Sequence, residues 1–172
     1  MLIVFTGLPR TGKSTLARMV ADERSAVYLR IDTIEQALRK TRPAGEEIGP
    51  DGYLVAFALA KENLRQSGRI VVADAVNPLK VTRDAWRDIA QAASCPLIEI
   101  EVICSDREEH RRRIETRSAE ANGSAPLTWP QVIDREYEPW DRPHLVLDTA
   151  TLSPQQALAE IRPVMEASVA RH

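Results

Sequence analysis

At 172 residues the chain is long enough for one well-buried core and too short for two ordinary domains of about 100 to 200 residues, so it reads as a single domain over 1–172. A hydrophobic share of 44% beside 28% charged residues excludes a disordered chain, and an aromatic share of 5% assigns the core mainly to Leu, Ile, Val and Ala. The balance of 23 Lys and Arg against 25 Asp and Glu, net −2, offers no broad cationic surface and counts against a long nucleic-acid partner.

Cys95 and Cys104 lack metal-ligand spacing and are expected as reduced core residues, which points to the cytoplasm. The apolar run at 2–5 is too short for a signal segment or a membrane span and is expected as a first strand covered on both faces. A helix follows over about 13–21, then a strand at 27–31, and Asp32 with Glu35 three residues on reads as a capping box for a second helix. Residues 41–50, with two Pro and two Gly, form a loop. The spacing of Leu54, Ala58, Leu59 and Leu64 predicts a helix from Asp51, stopped by Ser67-Gly68 before a strand at 70–73 that ends at Asp74.

Beyond the turn at Asn77-Pro78, a helix is expected over 81–93 and a strand over 97–103, where the alternating Glu99 and Glu101 suggest a less covered face. Ser105 and Glu108 read as a capping box for a charged helix to about Glu120, ended by Ala121-Asn122-Gly123-Ser124. Thr128 and Gln131 cap a short Trp-flanked helix, 145–147 forms a fifth strand, and Ser153-Pro154 opens a last helix that Pro163 should kink or break. Strands alternating with helices predict an α/β fold: a five-stranded parallel sheet with right-handed crossovers and helices on both faces.

The residues Gly7-Leu8-Pro9-Arg10-Thr11-Gly12-Lys13-Ser14 match G-x-x-x-x-G-K-[ST] in full, between a predicted strand and a predicted helix. The glycines let the loop curl so that successive amides point at a β-phosphate, and the following helix presents its positive end to the same anion. Lys13 is then expected to bridge β- and γ-phosphates, Ser14 to ligate Mg²⁺, and Thr15 to meet the α-phosphate. Arg10 is either a cation beside the γ-phosphate or a solvent-facing loop residue.

Ligands of open α/β sheets bind at the carboxyl ends of the strands, which singles out Asp32 and Asp74. Asp32 can orient an attacking hydroxyl and accept its proton, can cap the next helix, or can do both. Asp74 ends its strand as a Walker B-like acid would, touching Mg²⁺ or substrate, and Asn77 can bond substrate or cap a turn. Arg113 and Arg117 share a helix face, where one can stack on adenine and the other neutralise charge on a transferring phosphoryl group, while Arg111 and Arg112 read as solvated. Residues 123–130 suggest a closing segment within a helical lid over about 106–141. Trp129, Tyr137 and Trp140 read as packing residues or as walls of an acceptor pocket, and Asp148-Thr149-Ala150 lies where backbone groups can reach adenine. His110 and His144 carry no metal or triad spacing and read as ordinary structural residues.

With these residues assembled, the chain resembles the P-loop small kinases of the adenylate-kinase-like group, in particular kinases related to adenylylsulfate kinase, zeta toxin and the kinase half of polynucleotide kinase. Residues 7–15 match its phosphate loop, Asp32 its base, 71–86 its Asp-x-x-Asn…Arg…Trp stretch, Arg113 and Arg117 its lid arginines, and Asp148-Thr149 its adenine-holding segment. Adenylylsulfate kinases carry a second acid shortly after the base, whereas here Asp32-Thr33-Ile34 stands.

The resemblance implies a three-layer P-loop NTPase fold and an ATP- and Mg²⁺-dependent kinase that transfers the γ-phosphoryl group to a small-molecule hydroxyl. The cationic cluster of Arg39, Lys40 and Arg42 suits an anionic acceptor. A kinase of nucleic-acid 5′-hydroxyls, or a nucleotide-binding ATPase or switch with a protein partner, is the alternative. A monomer or homodimer without a membrane partner is expected.

Overall fold

The computed structural model describes residues 1–43, 45–66, 68–119 (side chains to 116 in that stretch) and 127–170. Strands β1 (Leu2–Thr6), β2 (Val27–Arg30), β3 (Val71–Asp74), β4 (Leu97–Ile103) and β5 (Leu145–Asp148) form one parallel sheet in the order β2-β3-β1-β4-β5. Among the described residues the helices are α1 (Lys13–Glu23), α2 (Ile31–Thr41), α3 (Asp51–Leu64), α4 (Lys80–Ala92), α5 (Arg107–Ala119), α6 (Trp129–Ile133) and α7 (Pro154–Ala170).

Every residue of β1 is buried because the strand sits at the centre of the sheet with a layer of helices on each face. Its pleat sends Ile3 and Phe5 into a core with Leu16 and Val20 of α1 and Ala157, Ile161 and Met165 of α7. Leu2 and Val4 point the other way, into a core with Ala56 and Ala60 of α3 and Trp86 and Ile89 of α4. The three layers and the parallel sheet are those expected from the sequence.

Trp86 is the largest fully buried side chain, packed edge-on against Phe57 at 4.6 Å, with its indole N–H donating to the Asn77 Oδ1 at 3.0 Å. Trp86→Ala is expected to cost about 3–5 kcal/mol of unfolding free energy in a denaturant titration, because both the ring volume and the partner of Asn77 are lost.

The alternation in β4 is not that of the less covered face expected, since the Glu99 and Glu101 side chains are only 8% and 15% exposed. Ile98, Ile100 and Val102 face the core, while Glu99 and Glu101 meet an irregular segment rather than a helix. Arg142 donates to both Glu99 oxygens at 2.7 Å, and the Tyr137 hydroxyl donates to Glu101 at 2.8 Å. Arg83 of α4 holds the same segment by donating to the carbonyls of Glu138 and Pro139, each at 3.0 Å, beneath the Trp140 ring. His144 stacks on Trp140 at 3.9 Å. These aromatic residues are therefore packed against the strand's polar face.

Three local expectations need correction. Helix α2 starts at Ile31, whose side chain is drawn into the core, so Arg30 is its N-cap and Asp32 lies in its first turn without capping it. The cap of α5 is Asp106, whose Oδ1 accepts from the amides of Glu108 and Glu109 at 3.0 Å, since Ser105 is turned to Asp148 instead. Helix α7 continues through Pro163, held across it by buried Ile161 and Met165. Packing of both half-helices on the sheet outweighs the one missing backbone bond.

Candidate active site

The carboxyl ends of all five strands meet at one edge of the sheet, and the loop between β1 and α1 curls across it. Its first residue, Gly7, has φ 137° and donates its amide to the Val76 carbonyl at 3.2 Å; any side chain there would put a Cβ 2.2 Å from the Val102 carbonyl oxygen. Gly12, at φ 100°, caps α1 against the methyl of Thr149. No acidic residue stands in the first turn of α1, so the positive end of the helix remains available to an anion.

Lys13 opens α1 and is only 5% exposed. Burial pushes its ammonium below the ordinary lysine range, against the opposing pull of Asp74 and Asp32. The group is thus a desolvated cation facing two acids, an arrangement that a phosphate anion would complete.

Asp74 is 2% exposed at the end of β3, where its Oδ2 accepts from the Tyr28 hydroxyl at 2.6 Å and lies 3.7 Å from Arg30 Nε. Arg30 also donates to the Asp32 Oδ2 at 3.0 Å, so one guanidinium spans both acids. Burial, then the Asp74 carboxylate, raises the Tyr28 phenol above its usual range and keeps it a donor. Neither Tyr28 nor Arg30 was singled out from the sequence. The available signal was their period-two spacing on β2, which puts both on one face of the sheet.

Asp32 lines the cleft, and its half-exposed carboxylate is free of the capping duty assigned to it. Arg39 lies on the same cleft, 3.4 Å from Glu35. Asn77 is placed differently from the substrate contact considered for it. It is fully buried, its Nδ2 donates to the Thr6 hydroxyl at 3.0 Å, its Oδ1 receives the Trp86 indole, and its amide donates to the Tyr53 hydroxyl at 3.0 Å. It anchors the turn after β3 and so brings Tyr53, whose phenol burial pushes up to about 12, to the cleft wall.

On the other side of the loop, the three guanidinium nitrogens of Arg113 donate to Glu109 Oε1 at 2.7 Å, the Thr149 hydroxyl at 2.8 Å and the Thr149 carbonyl at 3.0 Å. Hydrogen bonds from Arg112 and then Arg113 push the Glu109 carboxyl down to about 2. Thr149 in turn donates to the Thr11 carbonyl at 2.6 Å. His110, read from sequence as an ordinary structural residue, is buried and donates Nε2–H to the Pro9 carbonyl at 2.8 Å, with the Trp129 ring edge-on at 5.4 Å. Asp148 braces this corner: its Oδ1 accepts from the amides of Ser105 and Ala150 at 3.0 Å. Burial raises its pKa, but the Ser105 and Ala150 hydrogen bonds outweigh that and leave it lowered. The Arg117 side chain and residues 123–126 of the expected closing segment lie outside the described residues.

Two cavities flank the phosphate loop. One, of about 400 Å³, is walled by Leu16, Arg112, Arg113, Thr149, Leu152 and Pro154, an apolar slot with guanidinium sides that suits a flat heterocyclic base. The other, of about 970 Å³, holds Lys13, Ser14, Arg18, Asp32, Arg39 and Arg135. Arg10, Gly12 and Thr15 line both. Arg135 was missed in the sequence because it follows α6 in an irregular segment with no periodic signal.

The Ser14 hydroxyl and the Asp74 carboxylate are hard oxygen donors of the kind Mg²⁺ takes. Among the described residues no group of three or more His, Cys, Asp or Glu could hold a metal alone, so phosphate oxygens would have to complete the shell.

A parallel sheet with a curled phosphate loop and a lysine at the helix start defines a P-loop nucleotide-binding fold. The chain belongs to the AAA domain family, whose model matches residues 2–133. It is 29% identical over 153 residues to an Aeropyrum pernix protein described as "Probable adenylyl-sulfate kinase", covering 87% of this chain and 83% of that protein. It is similar in structure to the Mycobacterium tuberculosis APS kinase in complex with AMPPNP and APS, with a TM-score of 0.72, 22% identity and 96% of each chain covered. A gluconokinase from Sinorhizobium meliloti is also similar, with a TM-score of 0.65 and 17% identity over 98% of this chain and 95% of that one. The likeness to these structures is one of fold, that of P-loop kinases. Among the described residues no helix is long and apolar enough to cross a membrane.

Proposed function

We propose that the chain is an ATP-dependent kinase that transfers the γ-phosphoryl group to a hydroxyl of a small anionic molecule. The observation that carries this reading is the pair of cavities sharing one wall: a donor slot and an acceptor cleft that meet at Arg10, Gly12 and Thr15. In-line transfer needs donor and acceptor on opposite sides of the γ-phosphate, and a switch that only binds nucleotide has no use for the second cavity.

In this reading the adenine lies between Arg113 and the Leu152 side of the slot, beside Thr149 and braced by Asp148. The triphosphate runs along the amides of 7–15, and Lys13 neutralises its β and γ oxygens. Mg²⁺, held by Ser14 and Asp74, would offset further charge on those oxygens. Asp32 orients the acceptor hydroxyl and takes its proton, while the Arg30 hydrogen bond at 3.0 Å keeps that carboxylate aimed. Arg18, Arg39 and Arg135 on the acceptor side favour a phosphate, sulfate or carboxylate group on the acceptor. Two free cysteines, Cys95 and Cys104, fit the reducing cytoplasm.

The test is ATP consumption followed against a panel of anionic hydroxyl compounds that includes adenylyl sulfate and gluconate, with a 5′-hydroxyl oligonucleotide as a separate arm. The expected result is turnover raised at least tenfold by one small anionic acceptor. Turnover that no small acceptor raises, or that only the oligonucleotide raises, removes this reading.

A further inference from the structure

Arg10 has a backbone φ of 67°, in the left-handed region that suits glycine and disfavours a long side chain. The loop is held in that shape from both sides. The carbonyl before Arg10, that of Pro9, accepts from His110 of α5 at 2.8 Å; the carbonyl after it, that of Thr11, accepts from Thr149 at the end of β5 at 2.6 Å. The Thr11 hydroxyl closes the turn by donating to the Leu8 carbonyl at 3.0 Å. Strain sustained by contacts from two separate elements marks a residue whose side chain is wanted where it stands. That side chain stands at the junction of the two cavities, and of the three residues that line both, Arg10 alone is charged.

We propose that Arg10 is a further catalytic residue, a built-in arginine that bonds the γ-phosphoryl group as it passes from donor to acceptor. The inference rests on the kinase reading above and adds to it a charge that Arg113 does not supply. Arg113 has its guanidinium committed to Glu109 and Thr149, so it serves the base slot. In the transfer, the bond from the γ-phosphorus to the β–γ bridging oxygen breaks with its electron pair left on ADP. The acceptor oxygen bonds to phosphorus and its proton passes to Asp32. Arg10 stays protonated throughout and neutralises the equatorial oxygens, where charge is greatest midway.

A transition-state mimic tests this without knowledge of the acceptor. Wild type, Arg10→Gly and Arg10→Gln are titrated with Mg-ADP alone and with Mg-ADP plus aluminium fluoride, which stands for the phosphoryl group in flight. Glycine fits the left-handed backbone, so the melting temperature of that variant should hold or rise. Both variants should keep ADP affinity within about threefold of wild type and lose roughly 100-fold of the tightening that aluminium fluoride confers. Full tightening in both variants, or none in the wild type, overturns the proposal. Wild-type protein that binds no ADP at all brings down the kinase reading itself, and this inference with it.

Discussion

Lys13→Ala is expected to lower kcat/KM for ATP by about 1,000-fold or more, equivalent to about 4 kcal/mol of transition-state stabilisation. The size follows from the environment of the ammonium. It is 5% exposed, so its attraction for phosphate oxygens is little screened by water, and it has already been desolvated during folding. The fold should survive the change. Removing the cation relieves its burial, and Asp74 keeps the Tyr28 hydroxyl and the Arg30 guanidinium as partners. Steady-state kinetics beside a thermal melt check both halves: lost turnover with a midpoint within about 4 °C of wild type is the expected pair. A large fall in midpoint would make Lys13 a structural residue first.

Asp32→Asn should slow transfer by about 1,000-fold while leaving the affinity for ATP near its wild-type value, since the amide keeps the shape but cannot accept the acceptor proton. The competing role, that of a helix cap, is removed by the backbone: α2 begins at Ile31 with Arg30 as its N-cap, so Asp32 lies two positions too far along to cap it. What remains to stability is the favourable position of a carboxylate in a first turn, worth about 0.3–1 kcal/mol. Single-turnover transfer and equilibrium nucleotide binding separate the two effects. Transfer at the wild-type rate would leave Asp32 with its Arg30 ion pair alone and would send the search for a base to Glu35 on the same helix.

The legible part of the site is the part built from neighbours in sequence. The apolar run 2–5, the glycines at 7 and 12 and the lysine at 13 specify a buried strand, a curled loop and a helix start within one short stretch. Asp74 was legible for the same reason, as the first acid after an apolar strand. Asp32 was found at the right sheet edge but with the wrong local role, because the choice of helix start depends on where Ile31 can be buried, a tertiary matter.

Less legible was everything made by residues far apart in the chain. Tyr28 and Arg30 meet Asp74 only because β2 and β3 pair with Arg30 opposite Asp74. His110 reaches Pro9, and Thr149 reaches Thr11, because β4 and β5 bring α5 and the β5 turn beside the loop. Asn77 looked like a polar turn residue open to substrate, yet burial beside Trp86 and Tyr53 engages both its side-chain atoms. By itself, then, the sequence determined the layered α/β fold and the phosphate grip, since periodicity and glycine chemistry act over a few residues. The tertiary structure decided which cations face which cavity and how Arg10 is held, because those positions depend on sheet order and cross-strand register, which no local pattern encodes.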